Sequence, residues 1–108
     1  MPSAVVSMDA ATKDLIAEKK NAKIKPSFIA VDNVLAAADA VLTFNDVFQT
    51  AAAPAVDVTV PRLKINVSVL ACVSLRDELK DIRFLGKAQV VRGALDANCH
   101  ITFGYDFE

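Results

Sequence analysis

From residue 97 to residue 107 the chain alternates apolar and polar side chains almost without a break. Ala97, Cys99, Ile101, Phe103, Tyr105 and Phe107 fall on one side, and Asn98, His100, Thr102 and Asp106 on the other. A repeat of two is the geometry of an extended strand, whose successive side chains leave opposite faces. Three aromatics on the apolar side require a core to face, so whatever the chain builds includes a sheet with one buried surface. Sheets of that kind are antiparallel.

The same period begins after Pro54. Val56, Val58 and Val60 alternate with Asp57 and Thr59, and after Pro61-Arg62 the apolar set moves to Leu63, Ile65, Val67, Val69, Ala71 and Val73. A slip of one residue at a proline marks a bulge or a break between two strands. The other face of the second segment starts wet at Lys64, Asn66 and Ser68 and ends dry at Leu70 and Cys72, which predicts cover on both sides there. Ser74 to Asp77 has the form of a capping box and predicts a turn or two of helix. Phe84, Ala88 and Val90 then mark another strand. The expected strands are 55–60, 63–74, 82–92 and 97–107.

The first half reads differently. Over 28–52 the alanine-rich content and the apolar residues Val31, Val34, Leu35, Ala38, Val41, Leu42 and Phe48 predict one long helix, with Phe28-Ile29-Ala30-Val31 and Val41-Leu42-Thr43-Phe44 as short strands the alternative. Asp32, Asp39 and Asp46 recur every seven residues and would share a narrow stripe of it with Thr43 and Thr50. Residues 9–22, with Asp9 and Asp14 early and Lys19, Lys20 and Lys23 late, predict a short helix matched to its dipole and stopped by Pro26. The expected fold class is α+β: a helical arm, 1–25, followed by a single domain, 26–108, in which the long helix covers a mainly antiparallel sheet of about four strands.

Charge narrows the function classes. Twelve basic and thirteen acidic residues leave a net charge of −1, which removes a global electrostatic case for nucleic acid. The distribution is blocked, however, with +2 over 1–30, −4 over 31–60 and +1 over 61–108. No charge-free run is long enough to span a bilayer, and the start has no basic leader, so the chain is expected in the cytoplasm or within an assembled particle rather than secreted by a cleaved signal peptide. Asn66-Val67-Ser68 fits a glycosylation acceptor by chance in such a setting. Cys72 and Cys99 read as buried thiols.

Nothing gathers the groups that catalysis needs. The one histidine, His100, points outward from its strand, and Cys99 beside it points the opposite way. Three scattered glycines make no phosphate loop. Two cysteines and one histidine fall short of a zinc site, and successive aspartates on the helical stripe would lie roughly 10 Å apart, too far to share a cation. No catalytic residue, metal, cofactor, nucleic acid, membrane or small-molecule substrate is expected.

Apolar residues make up 54% of the chain, where ordinary domains run about 45–50%. Such a chain is expected to leave apolar surface for a partner. The reading that follows is a non-enzymatic structural subunit that assembles with copies of itself, and with other structural proteins, into a virion-type particle, tail or filament. Lys19, Lys20, Lys23 and Lys25 would form the basic half of the contact and Asp32, Asp39 and Asp46 the acidic half. The alternative is a small binding or inhibitory module that holds an apolar ligand between helix and sheet, or caps one protein partner.

Overall fold

Strand character runs through both halves of the protein, including the stretch with helical spacing. The computed structural model describes residues 3–49, 56–93 and 95–108. Eight strands are found among the described residues: β1 Ser3–Met8, β2 Thr12–Ile16, β3 Ile24–Asp32, β4 Ala40–Gln49, β5 Asp57–Val67, β6 Cys72–Leu75, β7 Lys87–Val91 and β8 Asp96–Phe107. The helical element among these residues is a single 3-10 turn, Asp77–Leu79.

The strands form two four-stranded sheets, ordered β1-β8-β3-β6 and β2-β7-β4-β5, with every neighbouring pair antiparallel. Pairs 1–8, 2–7, 3–6 and 4–5 are those of one long hairpin folded at its middle. Pairs 3–8 and 4–7 arise when that hairpin is wound round a core. This double-sheet winding of eight strands is the jelly roll.

The α+β expectation is therefore corrected. The long helix over 28–52 is two strands, β3 and β4, joined by a loop over 33–39, and its last residues, 50–52 with Thr50, lie outside the described residues. Asp32 and Asn33 break the pattern: Asp32 Oδ1 accepts the Val34 amide at 3.0 Å in an Asx turn, and the Asn33 amide side chain donates to three carbonyls. On either side, Phe28, Ile29 and Val31, and then Val41, Leu42 and Phe44, are residues that suit a pleated, half-buried surface. Alanine's helix preference is worth a few tenths of a kcal/mol per residue, about the size that tertiary pairing overrides.

The helical arm over 1–25 is likewise corrected: β1 and β2 are edge strands, one in each sheet. The Lys13–Asp9 pair, 2.8 Å, has helical i,i+4 spacing but closes the turn between them. The expected strand over 63–74 is split, because residues 68–71 turn, and its first five residues belong to β5. The slip at Pro61-Arg62 is a bulge within β5, where Phe44 pairs with Leu63 and Asn45 with Pro61. Residue 55 of the first expected strand and residue 94 of the last turn lie outside the described residues. Ser74 does not cap the turn that follows, which starts after Arg76 with no side-chain cap. The terminal strand stands as β8, with Cys99, Ile101 and Phe103 fully buried and Ala97 and Phe107 exposed at its ends.

The inner faces of the two sheets meet through their aromatics. Phe44 of one sheet stacks on Phe103 of the other at 6.3 Å, and Phe84 meets Phe103 edge-on at 5.8 Å. Ile29, Val31 and Ile101 lie on one side of this layer and Leu42, Ala88 and Val90 on the other, all buried. Each large side chain taken from water here contributes roughly 1.5–3 kcal/mol.

Candidate functional site

The turns sort to the two ends of the slab. Those joining β1 to β2, β3 to β4, β5 to β6 and β7 to β8 lie at one end, and those joining β2 to β3 and β6 to β7 at the other. At the first end the loops are bonded to each other. The Asn33 side chain donates to the carbonyls of Ala38, Val67 and Ser68 at 3.2, 3.3 and 3.1 Å. Its backbone amide donates to Ala71 at 3.0 Å, and its carbonyl accepts from Leu70 at 3.2 Å. Asp39 accepts the Val69 amide at 2.7 Å, Asp96 accepts the Ala37 amide at 2.9 Å, and Arg92 donates to the Ala38 carbonyl at 3.3 Å. The two backbone amides on Asp96, from Ala37 and Asn98, hold its carboxyl below the usual carboxylate range.

Beside the exposed Asp32 and Asp39, this end presents apolar side chains. Val34, Leu35, Val69, Leu70 and Leu95 are 38, 76, 37, 73 and 65% exposed. Leu70 also has φ of +66°, in the left-handed region that Gly and Asn occupy readily and other residues at a cost. A leucine held in the left-handed conformation on ordered loops costs the isolated chain free energy that its largely exposed side chain does not offset by burial. Single exposed leucines need no explanation, but a group of them on one end does.

Sequence patterning did not single out these residues. Leu70 reads as the interior of a strand because Ser68-Val69-Leu70-Ala71 contains no glycine, proline, asparagine or aspartate. Leu35 reads as one face of a helix. The available signal was Asp32-Asn33, a turn-forming pair that predicts a loop after it.

The residues that patterning did single out are scattered. Lys19, Lys20 and Lys23 lie exposed in the loop between β2 and β3, and Lys25 in β3, all towards the second end. Lys19 Nζ sits 4.7 Å over the Phe107 ring, and Lys23 exchanges two backbone hydrogen bonds with Glu108, 2.9 and 2.8 Å. An open cavity of about 300 Å³ lies there, lined in part by Glu18, Lys19, Lys23, Leu85 and Glu108. The Arg83 guanidinium, 3.0 Å away, holds the Glu108 carboxyl below its ordinary range. Asp32 and Asp39 are exposed at the first end, and Asp46 is fully buried on the inner face of β4. The aspartate stripe is corrected with the helix that carried it, and Asp46 has no surface to offer a partner's lysine.

No family model matches the chain, nor does any curated protein or solved structure.

For chemistry, the nearest arrangement is a row across the first sheet, in which Cys72 and His100 each pair with Asp32 from opposite sides. Cys72 Sγ is 3.8 Å from Asp32 Oδ1. Thiol and imidazole are two strand spacings apart, roughly 10 Å, with the carboxylate between them, so the base does not reach the nucleophile. Cys72 is exposed, contrary to its reading as a buried thiol, whereas Cys99 is buried and burial pushes its thiol up. Among the described residues no group of three or more His, Cys, Asp or Glu side chains could hold a metal ion. No helix among them is long and apolar enough to cross a membrane. The space expected to hold an apolar ligand, between a helix and the sheet, is instead the intersheet layer filled by Phe44, Phe84 and Phe103.

Proposed function

We propose that this protein is a non-enzymatic structural subunit that assembles with copies of itself into a particle, tail or filament. The observation that supports the reading is the apolar end: five exposed Val and Leu side chains on loops tied to one another by hydrogen bonds, one of them in a strained backbone conformation. Strain of this kind persists where the surroundings enforce it and function uses it. The jelly roll serves capsid and lectin domains and cupins alike, so the fold agrees with the reading without selecting it. Charge placement agrees as well. The lysines at 19, 20, 23 and 25 and the aspartates at 32 and 39 occupy opposite ends of a body 45 Å long, as an end-to-end contact between copies needs.

Sedimentation over a range of concentrations tests the reading. The wild-type protein is expected to associate as concentration rises, and Leu35→Ser to associate less while melting at the same temperature, because Leu35 is exposed and carries no core contact. A wild-type protein that stays monomeric throughout the range refutes the proposal.

A further inference from the structure

Each sheet of a jelly roll ends in two edge strands, whose outer N–H and C=O groups can accept a strand from another chain unless something blocks them. Three of the four edges here are blocked. β2 carries Lys13 and Asp14, which are committed to ion pairs with Asp9 and Lys87. β5 carries Pro61, a bulge, Arg62 and Lys64. β6 is four residues long and follows the strained Leu70. β1 has none of these guards. Ser3-Ala4-Val5-Val6-Ser7 contains no charge and no proline, pairs in unbroken register with Gly104 to His100 of β8, and shows an irregularity only after Ser7. Val5, at its centre, is 66% exposed.

From these observations we infer that β1 is the seam through which two copies of this protein join, its free edge pairing antiparallel with β1 of a second copy about a two-fold axis. This rests on the assembly reading above and names one of its contacts. The sequence of the strand suits the symmetry. With Val5 facing Val5 of the second copy, Ser3 faces Ser7 and Ala4 faces Val6, so small faces small, apolar faces apolar, and no charges are opposed. A two-fold seam needs one patch that complements itself, and this five-residue run does so in both directions. The pairing joins the two β1-β8-β3-β6 sheets into one continuous sheet of eight strands, with main-chain hydrogen bonds supplying the attraction and side-chain fit the register.

Val5→Lys places two like charges face to face on the axis, and because the side chain is largely exposed the monomer keeps its fold. Sedimentation of the wild type and this variant, with thermal melts of both, is the first arm. The seam predicts an unchanged melting temperature and a dissociation constant raised by at least about tenfold. The second arm is Val5→Cys in a Cys72→Ser background, oxidised and run on a non-reducing gel. Directly opposed residues lie about 4.5–5.5 Å apart between Cβ atoms, close enough to cross-link, so a covalent dimer is expected. Association of Val5→Lys at wild-type strength, or absence of the cross-linked dimer where the wild type associates, overturns the seam and leaves the assembly reading standing. A wild-type protein that never associates overturns both.

Discussion

Asp46 sits fully buried on the inner face of β4, where a carboxylate persists only with partners. It has four. Arg62 reaches Oδ2 through Nε at 3.1 Å and Nη2 at 2.7 Å, the Leu85 amide donates to Oδ2 at 2.9 Å, and the Gly86 amide donates to Oδ1 at 2.8 Å. Gly86 has to be glycine here, since a Cβ would run into the Val47 carbonyl oxygen. One aspartate thus ties β4, β5 and the segment leading into β7 together. Asp46→Ala leaves the guanidinium and two amides without their acceptor, so a loss of about 3–5 kcal/mol is expected in urea unfolding. A loss under about 1 kcal/mol would mean that water replaces the carboxylate at little cost. In the sequence this residue was legible only as a charge at seven-residue spacing from two others. Burial of a charge is decided by a partner distant in the chain, and nothing at position 46 announces Arg62.

At the scale of elements, strands whose two faces differ were legible and strands joined by irregular turns were not. β8 could be read from its alternation, and the bulge in β5 from the phase slip at Pro61-Arg62. The use of that bulge appears only in three dimensions, where it turns Arg62 towards Asp46. β3 and β4 were misread because the apolar loop between them, with Val34, Leu35 and three alanines, fills a gap where a polar turn is expected. The loop is held from outside by the Asp96 carboxylate, which accepts the Ala37 amide, and this makes it sensitive to acid. Backbone amides hold Asp96 below its ordinary range, and hydrogen bonds and charges from Gln89 and Lys87 do the same to Asp14, as Lys13 does to Asp9. A group whose folded pKa is lowered contributes stability that is fully present above its unfolded value, about 3.9 for Asp, and is lost as pH falls through the folded one. Melting temperature should therefore hold from pH 7 to about 5 and fall below about 4. Amide exchange at Ala37 should rise before exchange at Ile101 in the core. Equal protection of the two amides down to the unfolding pH would show that Asp96 does not latch the loop.

For the whole molecule, the high apolar content matters by its placement rather than its amount. The body measures 45 × 28 × 18 Å, a thin slab in which the space between two sheets takes the aromatics and most branched residues. Half of the ten large apolar side chains exposed among the described residues are gathered at one end. If that end exists to be covered by another copy, stability of the monomer and strength of assembly should pull against each other there, and Leu70 is where the two separate. Asparagine adopts the left-handed conformation more readily than leucine, so Leu70→Asn relieves strain worth about 1 kcal/mol and exchanges an exposed apolar group for a polar one. The first change stabilises the isolated chain, and the second removes apolar area from the contact. The variant is expected to melt higher than the wild type at concentrations where both are monomeric, and to sediment as a smaller species where the wild type associates. A variant that melts higher and assembles equally well would mean that Leu70 faces water in the assembly too, which leaves its strain without a use.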